Sequence, residues 1–558
     1  MSNFSTFSPL FIVPLADEPE EERELGAFMR LLASSGLGRL LRPKAPRGPD
    51  GGQPPYDASS LLAAILFAFS DTGGTVRDVA DSCRFDLRYR YLTSDAKPGK
   101  STVAGFISRV IAPNADAIFR GVTGSIMSAM GGSPVGEVFV DGSKFEANAN
   151  KYKFTFRSRK RALGLLARAG CLIRGNGMPF PEKPEPPYSR LIGEAVSEVG
   201  RRLSAAGKDP AGSPRGRGHR ADPEVRLFRT LSALLGRMLA YEETDRICGP
   251  GRNSFYKTDR DATAMCLKED YYSGAGSNMH AAYNVQIAVS SGIIVGYYVS
   301  QDRSDSRTLP AFLGRMRGMW GSYPAAVCAD AGYGSAENYS FLAAAGISCY
   351  VKYPSWEGEV TGTRPALLSL SGDGSVRCLK GFEGERIPPV RHPRFKGAVF
   401  YRIGRCRGCE YRRYCTRALA HPKAGERTFE ESPEYLGHKR TAAENLLSPK
   451  GIELRVNRSI QVEGTFGIVK QDMAYDRFRR RGLAEVSAEM MLICLGANIR
   501  KYFSFLRSGR APEFWKAPAG LEAEKPHRIS CAVRRGGRSR RNLMKQPNQV
   551  ARRMAGRR

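Results

Sequence analysis

With 558 residues, 42% of them apolar, the chain is long enough for roughly two to four domains and has the hydrophobic content to close real cores. Its 86 Lys and Arg against 55 Asp and Glu give a formal net charge of +31, which suits a polyanionic partner and argues against a small neutral substrate. No run reaches the ~18–20 consecutive apolar residues of a membrane span. No secretion signal is expected at the N-terminus, and 12 cysteines are too sparse for a disulfide scaffold. The expectation is therefore a cytoplasmic, nucleoid-associated protein with no membrane contact.

Residues 1–25 end in the acidic run ADEPEEERE and read as a solvated arm. From 25 to 130 the pattern is helical, including DASSLLAAILFAFS with Asp57 as N-cap. The short helices around RFDLRYRYL suit either a helix-turn-helix-like DNA reader or a plain helical bundle. A strand is predicted at 136–141, where VFVD runs into an Asp-Gly turn, with Lys and aromatic residues following up to 156. Residues 157–250 read as an insertion of paired basic helices, RSRKRALGLLARAG and LFRTLSALLGRMLAY, joined by a Pro/Gly/Arg-rich linker at 176–220.

From 251 to 355 the pattern returns to β. AAYNVQIAVS (281–290) and GIIVGYYVS (292–300) form a hairpin around Ser291–Gly292. RTLPAFLGRMRGMW is a helix, AAVCADAGYGS (325–335) a buried strand ending in Asp330, AENYSFLAAAG a helix closed by Gly346, and ISCYVKYP a strand closed by Pro354. Residues 356–430 form a polar Cys-containing insertion, loop-rich as far as 425. Within 440–505, RSIQVEGTFGIVKQ and GLAEVSAEMMLICLGANIRKYF are helices; Leu483, Val486, Met490, Ile493 and Ala497 line one apolar stripe of the second. Residues 506–558 are a basic tail: from Arg528 to Arg558 there are 11 basic residues and no acidic one, the composition of a disordered segment.

This order of strands and helices defines an α/β fold with a mixed sheet. Two of its strands, ending in Asp141 and Asp330, each deliver a carboxylate to a glycine-containing turn. If the strands are neighbours the carboxylates converge, and close like charges need a cation to stay ionised. Oxygen-only ligation, with no histidine near, suits Mg2+ or Mn2+. Glu463 offers a third acid, on one helix face with Lys470, and Gly467 in that helix suggests close approach by another backbone or a phosphate. Cys406, Cys409 and Cys415 follow a Cys-x2-Cys-x5-Cys spacing, with Cys378 lying 28 residues upstream, a donor set for structural Zn2+ with His392 and His421 as substitutes. The other eight cysteines are scattered and read as core or surface residues.

The segments FVDGSKFEANANKYKF, AYNVQIAV, ADAGYGSAENY, RSIQVEGTFGIVK and RFRRRGLAEVSAEMMLICLGANIRKY, in this order, resemble the DDE-type transposases of bacterial insertion sequences, and in particular the subgroup with a cysteine-rich insert. The resemblance runs from about Tyr56 to Tyr502 and implies an RNase H-like core, with residues 25–130 as a helical DNA-binding domain. It further implies that Asp141, Asp330 and Glu463 are a metal-binding triad for cleavage and joining of double-stranded DNA, at element ends and target, by two-metal-ion phosphoryl transfer. One departure concerns the Tyr-x2-Arg-x3-Glu-x6-Lys signature of such enzymes: Glu463 and Lys470 fit it, but Ser459 stands where the arginine belongs, with Arg458 one residue earlier and Arg455 where a tyrosine precedes it. Lys144, Lys151, Lys153, Arg458, Lys470, Arg477, Arg479 and Arg480 are the expected DNA contacts. Asn148 and Asn150 contact a base or form a turn, with the turn favoured, and Asp302 and Asp305 are expected to be structural. By analogy the partner state is a DNA-bound homodimer. Rival readings are a transposase-derived DNA-binding protein that no longer cuts, and a metal-dependent nuclease on the same fold.

Overall fold

The computed structural model describes residues 20–39, 41, 56–71, 73–209, 222–267, 279–363, 365–395, 397–411, 415 and 425–523. The predicted N-terminal arm up to residue 19, the basic run at 528–558, Cys531 and His421 lie outside the described residues.

Six helices lead: α1 (Glu20–Ser34), α2 (Ala58–Asp71), α3 (Val76–Phe85), α4 (Leu87–Leu92), α5 (Lys100–Phe106) and α6 (Ala115–Met130). Helix α2 is apolar all round, and Leu61 through Phe69 are buried, as such a helix requires. Thr75 and Asp78 form a reciprocal capping box at the start of α3.

Strands β1 (Glu137–Glu146) and β2 (Phe154–Phe156) follow, then helices α7 (Arg159–Gly175), α8 (Tyr188–Ala205) and α9 (Pro223–Cys248). Strands β3 (Ser254–Tyr256), β4 (Thr263–Cys266), β5 (Met279–Ser290) and β6 (Ile293–Ser300) come next. Helix α10 (Leu309–Trp320), strand β7 (Ala326–Ala329), helix α11 (Ala336–Ala344) and strand β8 (Ser348–Val351) complete the main sheet. Its order is β4-β5-β1-β7-β8, with β6 also on β5. Strands β1, β7 and β8 run parallel, whereas β5 is antiparallel to β1, β4 and β6. The β5–β6 turn is Ser291–Gly292, both at positive φ, the backbone that a tight two-residue hairpin needs.

Strand β1 runs through Gly142 to Glu146, five residues beyond the turn expected at Asp141. Glycine here serves a close approach and not a chain reversal: a Cβ would stand 2.5 Å from Gln286 Nε2 and 2.7 Å from Asp305 Oδ1.

Residues 356–431 hold more order than their polar sequence suggests: helix α12 (Trp356–Val360), a β9 (Leu368–Leu370)–β10 (Val376–Cys378) pair, and a sheet of β11 (Glu385–Ile387), β12 (Val399–Ile403) and β13 (Arg427–Glu431). Leu368, Val376, Tyr401, Ile403, Phe429 and Leu436 give this part its own core. Strands of three to five residues are too short to show an alternating pattern. Helices α13 (Pro433–Leu447), α14 (Pro449–Arg458) and α15 (Leu483–Ser508) close the fold.

One hydrophobic core joins α1–α6, the main sheet and α15. The Phe28 ring lies 5.7 Å from Phe67 and 6.2 Å from Phe503. Arg500 donates to the carbonyls of Ser70 and Asp71. By contrast α7–α9 bury separate clusters, one built on Leu165, Ile192 and Leu234 and another on Ile173, Val199 and Leu231. Among the described residues no single helix is long and apolar enough to cross a membrane.

Candidate active site

The β1–β7 register ends with Val140 opposite Ala329. The next residues along the two parallel strands are Asp141, still paired with β5, and Asp330, just past the end of β7, so both carboxylates stand at the same level on adjacent strands. Asp141 Oδ1 accepts the Gly142 amide at 2.8 Å, and Asp330 Oδ1 caps the following turn through the Gly332 amide, also at 2.8 Å.

Asp305 joins them. Its Oδ1 accepts from Asn284 Nδ2 at 2.8 Å and Gln286 Nε2 at 2.9 Å, both projecting from β5. The Tyr333 hydroxyl donates to the Gln286 carbonyl oxygen on the same side. Burial holds the Tyr333 phenol well above its usual pKa, and the charges of Asp305, Asp141 and Asp330 push it the same way. Sequence reasoning set Asp305 aside; the available signal was the polar pair Asn284 and Gln286, alternating in an otherwise apolar strand and almost fully buried.

Glu463 arrives from α14. This helix runs on through a π-turn at Ser459–Glu463, an α-turn at Gly464–Gly467 and a second π-turn at Ile468–Asp472. In an α-helix residues four apart share a face, whereas a π-turn aligns residues five apart. The extra residue between Arg458 and Glu463 is thereby absorbed. Arg458 Nη1 lies 3.5 Å from Asp141 Oδ2 and Nη2 lies 3.2 Å from Glu463 Oε1. The Arg458 side chain is 12% exposed and that of Glu463 59%, so the arginine forms the floor and the glutamate reaches outward. A Cβ at Gly467 would meet nothing within 4 Å, so no protein backbone makes the close approach expected there.

Lys352 follows β8, beside Asp330 by the β7–β8 register. Burial, with the charges of Arg458 and Arg455 nearby, lowers its ammonium pKa. It was overlooked in the sequence, although VKYP ends its strand as VCAD ends β7.

The carboxylates are oxygen-only donors, which fits a hard divalent cation. Arg458 stands between Asp141 and Glu463, and among the described residues no group of three or more His, Cys, Asp or Glu is gathered to hold a metal ion.

The other candidates divide. Lys144 Nζ donates to the Cys266 carbonyl at 3.1 Å. Lys470 Nζ contacts the Lys144 carbonyl at 3.4 Å and lies 4.9 Å over the Phe145 ring. Arg479 donates to the Gly73 carbonyl, and Arg480 to Ser108, Glu485 and the Ala104 carbonyl; both guanidiniums tie the 476–482 loop to the N-terminal helices. Arg477 is half exposed, 3.9 Å from Glu146. Lys151 and Lys153 are exposed. Asn150 forms a turn by accepting the Tyr152 amide, and Asn148 donates to the Arg479 carbonyl. Cys378, Cys406, Cys409 and Cys415 are neighbours: burial raises the Cys406 thiol pKa, and the other three thiols add to that effect. The Asp302 amide donates to Ser300 Oγ at 3.0 Å.

Residues 391–503 match the family model described as a transposase DDE domain. The match takes in α14, Arg458, Glu463 and most of α15, and it supports a DDE-type transposase, an enzyme acting on DNA. The mixed α/β architecture is consistent with that fold. A comparison with curated proteins found no match.

Proposed function

We propose that this chain is the transposase of a bacterial insertion sequence, of the subgroup with a cysteine-rich insert, acting on DNA in the cytoplasm. The observation that carries the reading is that Arg458 pairs with both Asp141 and Glu463, while Asp330 follows β7 at the level of Asp141 on the neighbouring parallel strand, near the carboxyl end of β7, where open α/β sheets place their chemistry. The topology supports an RNase H-like core: three antiparallel strands, β6-β5-β1, continued by β7 and β8 parallel to β1.

In this reading Asp141, Asp330 and Glu463, not gathered as a metal site in this structure, would hold Mg2+ or Mn2+, which would supply Lewis acidity to the reacting phosphoryl group. Asp305, held by Asn284 and Gln286, packs against Gly142 and Gly332, the residues whose amides bind the two aspartates, and so would help position them. Arg458 is the internal counter-ion that lets the acids coexist before DNA binds. Lys352, beside Asp330, is placed to meet a scissile phosphate, and Lys151, Lys153 and Arg477 to meet flanking phosphates. Cleavage at the element end leaves a 3′-OH, which attacks target DNA; one phosphodiester replaces another, so no external energy source is required. A homodimer would bring two ends together, α1–α6 would contribute DNA contacts, and the four neighbouring thiols, not gathered as a metal site in this structure, would hold a structural Zn2+ if drawn together. The ion pairs of Arg458 favour a second reading, a site closed by its own arginine in a protein that binds DNA without cutting.

The test is cleavage of a labelled duplex carrying the element's own terminus, taken from the inverted repeats of the native locus, with Mg2+ or Mn2+. Wild type is expected to nick at the boundary, and Asp141→Asn and Glu463→Gln to lose at least about a hundredfold of that activity. Equal cleavage by all three proteins removes the triad, and tight binding without cleavage by any of them selects the second reading.

A further inference from the structure

Strand β2 shows a feature that the catalytic reading leaves unused. Tyr152, Phe154 and Phe156 are 82%, 55% and 61% exposed, three aromatic rings given to solvent within five residues. Phe154 and Phe156 share a face of the ribbon that β2 forms with β3, since side chains two apart in a strand point the same way. Exposed apolar clusters of this kind mark interaction sites. The same segment is strongly cationic: from Ala147 to Pro181 there are eight Lys or Arg and no Asp or Glu. Lys151 Nζ lies 5.4 Å over the Tyr152 ring, and Lys153, just before β2, and Lys257, just past β3, are exposed. The ribbon is reached directly from β1, the strand that carries Asp141, across a turn pinned by Asn150.

We infer that the Tyr152–Phe156 face binds an unpaired DNA strand, stacking its bases on the rings while the lysines meet its phosphates. Planar π-faces interleaved with cations are the chemistry of single-strand recognition, where stacking is sequence-tolerant. Intact duplex keeps its bases stacked internally and offers this face only phosphates. A second copy of the chain is a poorer occupant, because two cationic segments would be brought together. The strand's source, an end opened by cleavage, rests on the function proposed above; the recognition itself rests on the face alone.

The experiment uses the full chain carrying Asp141→Asn, with and without Phe154→Leu and Phe156→Leu. Leucine keeps apolar surface and removes the ring, and both sites are exposed, so an unchanged Tm is expected to show that the fold is intact. The probe is a single-stranded oligodeoxynucleotide containing 2-aminopurine, compared with a blunt duplex of the same sequence. The Asp141→Asn protein is expected to quench the probe by stacking. The leucine variant is expected to bind the strand about tenfold or more weakly without quenching, and the duplex unchanged. Equal strand affinity with and without the rings overturns the inference. So does loss of self-association with strand binding intact, which makes the face a protein interface. Because nothing here is cut, failure of the cleavage test leaves this result readable.

Discussion

Gly142 lies inside β1, where the ends of the Gln286 and Asp305 side chains fill the space that a Cβ would take. Those ends are held by hydrogen bonds to each other and to Asn284, so they yield only by breaking the network beside Asp141 and Asp330. Gly142→Ala is expected to destabilise the fold by about 1–3 kcal/mol and to reduce cleavage more than DNA binding, read from Tm and from single-turnover nicking beside a binding isotherm. Glu489 is a second informative residue. Its carboxyl accepts the amides of Arg479 and Arg480, each at 3.0 Å, and the Tyr475 hydroxyl, which anchors the arginine-rich loop. Burial pushes its pKa from 4.5 up to about 7. The folded state therefore keeps a proton that the unfolded state releases, and this contribution to stability falls as pH rises from about 4.5 to about 7. Relative to wild type, the stability of Glu489→Gln is expected to improve by about 3 kcal/mol across that window, measured as the change in ΔTm between pH 5 and pH 8. At this scale Asp141, Asp330 and Glu463 each stand in a local pattern that the chain displays. The partners of Asp305 and the place of Lys352 beside Asp330 are not legible there, because they depend on which strands are neighbours.

At the scale of elements, the helix from 449 to 472 is the part whose position matters most. Its inner side carries Arg458 and Glu463; elsewhere it is clamped. Asn457 exchanges two hydrogen bonds with the Trp515 backbone, at 2.9 and 3.1 Å. Glu453 accepts the Ala517 amide and Gln461 accepts the Gly292 amide. Residues 512–517 thus strap the helix against the hairpin end of the sheet, a role that a basic-tail composition does not reveal. Asn457→Ala leaves the strap's amide and carbonyl without these partners, at about 1–3 kcal/mol. It is expected to lower cleavage by loosening Glu463 while leaving duplex affinity within about twofold, a split seen by comparing single-turnover rate with Kd. The same helix explains the offset in the arginine-glutamate spacing. A count along the chain assumes 3.6 residues per turn, and the π-turn makes the missing register good only in three dimensions.

At the scale of the molecule, the sheet, the N-terminal helices and α15 share one core, whereas α7–α9 keep their own. The insertion leaves and re-enters through the β2–β3 ribbon, where the Arg157 amide donates to the Asn253 carbonyl at 2.7 Å, so its two ends already meet. Calorimetry is expected to give two transitions, and replacing 159–250 with a short glycine turn is expected to remove one and leave the other within a few degrees. A single transition lost as a whole would show that the insertion is integral to the main core. The two outer helices of the insertion, α7 and α9, were legible in the sequence, but the stretch read as a linker at 176–220 carries α8 (Tyr188–Ala205), whose flanking prolines and glycines masked it. The continuity of the core across residue 130 was not, because α2 is apolar all round and so gives no sign of which partner it faces.

That continuity bears on how the chain comes into being. Helix α2 leaves the ribosome long before α15, whose Gly496 packs directly on the Phe69 backbone. At about 5–20 residues per second, α2 waits roughly twenty seconds or more for the surface that covers it. Until α15 arrives, α1 and α3–α5 cover only part of α2, and the rest of this greasy helix is open to chaperones. Any message that stops short of α15 yields a polypeptide that leaves that surface bare, a target for aggregation or proteolysis.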